Sequence, residues 1–147
     1  MTLADKMTTI PNRERVITDC CTLIDEEVKS KSGFGGIAIK TGYGLVKAVS
    51  PKFISDVVDA MLDEWVGKLE PFYTQWQASG KSVAFSDYLG GRGAEAADKL
   101  LEVTDSRAGR TKHGSVKKMY EKLRPSAKEH VEKALPRLGK LVEKNAT

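Results

Sequence analysis

Residues Ser32–Ser50 read SGFGGIAIKTGYGLVKAVS. The stretch holds five glycines, yet its apolar residues keep the 3.6-residue rhythm of a helix. On a helical wheel Lys40 and Lys47 form one narrow polar stripe. Opposite them lies a broad arc from Ile37, Ala48 and Thr41 through Leu45 and Gly42 to Ile39. Each glycine inside a helix costs about 1 kcal/mol relative to alanine. Close packing against another backbone is the ordinary way to recover that cost, so the stretch predicts a buried, glycine-rich central helix at about 33–49. Two near-matches to a phosphate-binding loop, Gly36–Thr41 and Gly80-Lys81-Ser82, lack the full glycine pattern, so no nucleotide site is predicted.

Working outward, every other periodic segment is also helical. Residues 1–11 read as a short amino-terminal segment whose first eight residues predict a helix that ends before Pro11. Asn12 is placed as the N-cap of a helix whose inner face carries Val16, Ile17, Cys20, Leu23, Ile24 and Val28. Ser50-Pro51 predicts the next helix start. That helix carries Ile54, Val57, Val58, Met61, Leu62, Trp65 and Leu69, and Glu70-Pro71 should open a new segment. One or two helical turns are expected over Ser86–Leu89, and a helix over Ala94–Thr104. Asp105–Gly114 reads as an exposed loop. Pro125 should break or restart the final helix and Pro136 should kink it. The fold class is therefore all-α: one helical domain over 1–147, a bundle of six or seven helices, with a basic region at 105–147 packed on the body.

Charge is uneven. Residues 105–147 hold twelve Lys and Arg against five Asp and Glu, whereas residues 1–104 hold twelve against fifteen. Such asymmetry points either to an anionic partner or to docking of the basic end on the acidic body. The candidate anion-binding residues are Arg107, Arg110, Lys112, Lys117, Lys118 and Arg124. They make no single helical stripe and have no interleaved aromatics, so nucleic acid is the less favoured partner, beside anionic lipid. The aromatic residues Trp65, Phe72, Tyr73, Trp76, Phe85 and Tyr88 are candidates for a partner surface or a pocket for an apolar ligand.

No catalytic, metal or cofactor motif is found. Cys20 and Cys21 are adjacent and lack zinc-ligand spacing, and His113 and His130 lie far from them. The row Asp56, Asp59 and Asp63 has no accompanying histidine and reads as a solvated face. No run of apolar residues is long enough to span a membrane and no signal segment is seen, so a cytoplasmic protein is expected. Lys31–Thr41 (K-S-G-x-x-G-x-A-I-K-T), Val116–Tyr120 (V-K-K-x-Y) and Ala134–Gly139 (A-L-P-R-L-G) resemble small, uncharacterised, all-helical bacterial proteins of the actinobacterial type. The resemblance implies a helical fold and transfers no functional residue. The sequence thus predicts a non-enzymatic module for protein–protein interaction or self-association. Its partner is an unknown protein or a second copy, and anion binding and apolar-ligand binding are the alternatives.

Overall fold

The computed structural model describes residues 2–31, 33–49, 52–112 and 114–146, and the side chains of all of these except residues 33–35, 38, 46 and 49. Among the described residues the chain is an all-α bundle of seven helices: α1 (Leu3–Met7), α2 (Asn12–Ser30), α3 (Gly33–Val49), α4 (Phe53–Ala78), α5 (Phe85–Gly90), α6 (Gly93–Arg110) and α7 (Gly114–Ala146). The core gathers Leu62, Val66, Leu69, Phe72 and Tyr73 of α4 with Leu135, Leu141 and Val142 of α7. Leu3 and Met7 of α1, Val16 of α2, Phe85 and Leu89 of α5, and Leu100 of α6 close around them.

Short α1 is held by polar contacts that its sequence supplies. Thr2 and Asp5 form a reciprocal capping box. The next two amides, of Leu3 and Ala4, donate to the Glu70 carboxylate of α4 at 2.9 and 3.2 Å. This fixes the first helix on the fourth and seats Leu3 in the core. Asn12 is the first residue of α2 rather than its cap: Pro11 occupies the cap position and makes no side-chain cap bond. The Asn12 amide donates instead to the Lys6 carbonyl at 3.0 Å. The helix start expected at Ser50-Pro51 lies outside the described residues.

The boundaries expected at Pro71 and Pro125 are overturned, whereas Pro136 lies within its helix as expected. Pro71 lies inside α4, and Pro125 and Pro136 lie inside α7. An internal proline costs about 3 kcal/mol. In α4 the buried face runs straight through it, from Leu62 and Val66 to Leu69, Phe72 and Tyr73, so burial on both sides outweighs the lost hydrogen bond. All three prolines sit on exposed positions. The loop expected at 105–114 is likewise mostly helix, because α6 continues to Arg110. Asp105 explains this: its carboxylate accepts from Arg124 of α7 at 2.8 and 3.1 Å and from the Tyr120 hydroxyl. The Arg124 guanidinium holds that carboxyl below its ordinary range.

The glycine-rich helix forms with the expected bounds but does not occupy the centre. None of its described side chains belongs to the core cluster. Ile37 and Leu45 are 63% and 58% exposed, and Thr41, Gly44 and Ala48 also face water. The glycines do permit close approach, but to local partners. A methyl at Gly36 would meet the Lys31 backbone at 2.7 Å, and one at Gly42 would meet Met119 Sδ of α7 at 2.6 Å. α3 is thus pinned by one side to the turn after α2 and to α7. The axis of the bundle is formed instead by α4 and α7, each of which touches α1, α2, α3, α5 and α6. Average apolarity misplaced α3, because burial follows the number of neighbours a helix can reach and not its mean hydropathy.

The basic carboxy-terminal region docks on acidic neighbours. Arg137 pairs with Glu26 and Glu27 of α2, Lys144 with Asp19, and Lys128 with Asp98. Exposed pairs of this kind contribute little each. A stronger link is buried Asn145, which accepts from Arg15 at 3.0 Å and donates to Asp19 at 3.0 Å and to the Leu141 carbonyl at 2.9 Å.

Candidate functional site

Cavities open between the described helices, among them the following two. The first, about 340 Å³, lies between the end of α2 and the middle of α7 and is lined by Glu27, Lys31, His130, Lys133 and Arg137 among others. Its charges are already matched. Glu27 accepts from Lys31 at 3.2 Å and Arg137 at 2.9 Å, and Lys133 pairs with Glu129 at 3.0 Å. Burial, with help from Lys31, pushes the His130 imidazolium below its ordinary pKa, so the ring is neutral near pH 7. Its Nδ1 is buried with no hydrogen-bond partner. This cavity is internally neutralised.

The second cavity, about 280 Å³, is different in kind. It lies where the first turns of α4 and α7 meet the last turns of α6. Its apolar wall is Phe53, Val57, Met61, Ala108 and Val116, with Met61 at 4% exposure. Arg107 and Lys117 line it from α6 and α7, and Asp56 is its acid. Both cations are exposed, and among the described residues neither has an ion pair. Tyr120 also lines it, its hydroxyl engaged with Asp105.

The structure separates the two groups of residues singled out from sequence. Of the basic set, Arg107 and Lys117 come together at this cavity, Arg124 is committed to Asp105, and Arg110, Lys112 and Lys118 are exposed beyond it. None of the six aromatics lines either cavity. Phe72, Tyr73 and Phe85 are buried core. Trp76 packs on Tyr73 and Phe85 and donates its indole N–H to the Val83 carbonyl at 2.7 Å, while Tyr88 stacks under Arg92. Trp65 packs against the core from its edge. The wall of the second cavity carried no separate signal: Val57, Met61 and Val116 read as ordinary inner-face residues, and the meeting of three helix ends leaves Val57 and Val116 partly uncovered while Met61 stays buried.

The cysteines are free, and Cys20 is packed against the core. Burial pushes its thiol up to about 12, so it is not a thiolate at pH 8. Alkylation of Cys20 by iodoacetamide at that pH is expected to run at least ~100-fold slower in the native protein than in the unfolded chain. Peptide mass spectrometry checks this, and equal rates would contradict it.

Among the described residues no cluster of His, Cys, Asp and Glu is arranged to hold a metal ion, and no helix is long and apolar enough to cross a membrane. The fold defines an all-α helical domain. A family model matches residues 3–146, that of a family of unknown function, DUF6918, and the chain belongs to this family. No curated protein and no solved structure matches it.

Proposed function

We propose that the protein is a non-enzymatic interaction module that pairs with a second copy of itself through the outer face of α3. The observation that carries this is the exposure of Ile37 and Leu45 on one side of a helix that bears no acid. A single exposed leucine is unremarkable on any protein. Here the two accompany Thr41, Gly44 and Ala48, and residues 37, 41, 44 and 48 follow the alternating four-and-three spacing of a helix–helix seam. A methyl at Gly44 would meet nothing within 4 Å, so a second backbone can come close there. A second copy suits the charge pattern. In a parallel two-fold pair the Lys40 and Lys47 edge faces the other copy's Leu45 edge. The lysine stems then cover Leu45, and the two lysine rows stay apart.

Sedimentation equilibrium from micromolar to millimolar protein tests this reading. Wild type is expected to dimerise, and Leu45→Glu to weaken the dimer at least tenfold, or ~1.4 kcal/mol. Gly44→Ala should act in opposite directions. It should raise the stability of the single chain by about 0.5–1 kcal/mol through helix propensity, read by urea unfolding of dilute protein. It should also loosen the dimer by filling the crossing point. A chain that stays monomeric at millimolar concentration ends the proposal, as does a Leu45→Glu variant that associates like wild type.

A further inference from the structure

The cavity at the junction of α4, α6 and α7 combines two features: an apolar wall, and at its mouth two cations that have no ion pair among the described residues. We infer that it binds a small amphiphilic anion, a single short alkyl chain with a carboxylate or phosphate head. The tail lies against Val57, Met61 and Val116, and the head sits between Arg107 and Lys117.

Size, polarity and charge each constrain the ligand. A dry cavity of ~150 Å³ holds one benzene, so about 280 Å³ has room for roughly eleven heavy atoms. That matches a chain of about ten carbons better than a two-chain lipid or a nucleotide. An inorganic anion would leave the wall of Phe53, Val57, Met61 and Val116 unfilled, whereas a neutral hydrocarbon would leave Arg107 and Lys117 without a counter-charge. Two helix amino termini, those of α4 and α7, meet the cavity against one carboxy terminus, that of α6, so the backbone dipoles lean toward negative charge. Asp56 is the opposing group, exposed at the rim. Asp105, near Tyr120, has its charge matched by Arg124. The first cavity has no such imbalance, because its cations are held by Glu27 and Glu129.

Isothermal titration with four probes tests the inference: decanoate, decyl phosphate, decanol and acetate. Decanoate or decyl phosphate is expected to bind one per chain and about tenfold more tightly than decanol, with acetate silent. The preferred head tells a carboxylate ligand from a phosphate one. Arg107→Ala and Lys117→Ala should each weaken the anionic probe about fivefold and leave decanol unchanged, whereas Asp56→Asn should tighten the anionic probe about twofold to threefold. Ala108→Leu, which fills the cavity, should abolish binding of both anion and alcohol. If that variant loses its helical circular dichroism, the exposed Arg107 and Lys117 variants decide the matter alone. Leu45→Glu should bind decanoate like wild type, which separates this site from the α3 face. Failure of both anionic probes to bind at millimolar concentration overturns the inference. So does equal affinity for decanoate, decyl phosphate and decanol, or indifference to both cation variants.

Discussion

Truncating Phe85 to alanine is expected to remove about 4 kcal/mol of folding stability. Phe85 is 0% exposed and is the largest of the fully buried side chains. Its ring meets Tyr73 and Trp76 of α4 edge-on, with centroids 5.5 Å away in both cases. Such pairs contribute ~0.5–1.5 kcal/mol beyond burial alone. The residue opens α5, a helix of six residues that could not persist in isolation. The cavity left behind cannot collapse easily, because α4 on one side and α7 on the other are long rods tied elsewhere. Against a typical total of ~5–15 kcal/mol, this loss approaches the whole for a marginal domain. Urea unfolding followed by far-ultraviolet circular dichroism measures it, and a loss below ~1 kcal/mol would contradict the packing described.

Gly139→Ala is expected to destabilise the protein by about 2 kcal/mol, although alanine is the better helix former by ~1 kcal/mol. Gly139 is buried in α7 where α5 crosses it. A methyl there would lie 2.7 Å from Ser86 Cβ and closer still to Ser86 Cα. The obstacle is backbone, so α5 must move as a body. Movement would strain the bond from the Ser86 amide to Glu143, 2.8 Å long and one turn along α7, and would disturb Phe85 beside it. The contrast with Gly44→Ala is the sharper check, since the same chemical change should stabilise one site and destabilise the other. Unfolding midpoints that shift the same way for both variants would show that propensity, rather than contact, governs these glycines.

Much of the helical pattern was legible because each segment repeats its apolar residues at the helical period. The bounds of α3 follow from the rhythm of 33–49, and α1 and α5 lie where a helix before Pro11 and helical turns over Ser86–Leu89 were expected. What sequence could not show was non-local. Pro71 reads as a boundary until one sees Leu69, Phe72 and Tyr73 buried on both sides of it. Residues 105–110 read as loop because the groups that order them, Tyr120 and Arg124, come from α7. The same holds for the binding cavity. Arg107 and Lys117 stood among the basic candidates, but their separation from the other cations depends on which of them find acids across the bundle. The glycines of α3 predicted close approach, and Gly36 and Gly42 do provide it. The error was to equate close approach with centrality.

The reach of α7 bears on how the molecule is made. Its carboxy-terminal half is joined to α2 through Arg15–Asn145 and Lys144–Asp19, pairs more than a hundred positions apart, and it also supplies one wall for α1, α5 and α6. While residues 1–113 are emerging from the ribosome, Phe85 already has Tyr73 and Trp76 of α4 to meet, but α5 and α6 lack the side of the core that α7 supplies. The earlier helices can gather on α4 first, and α7 then closes the other side of the core.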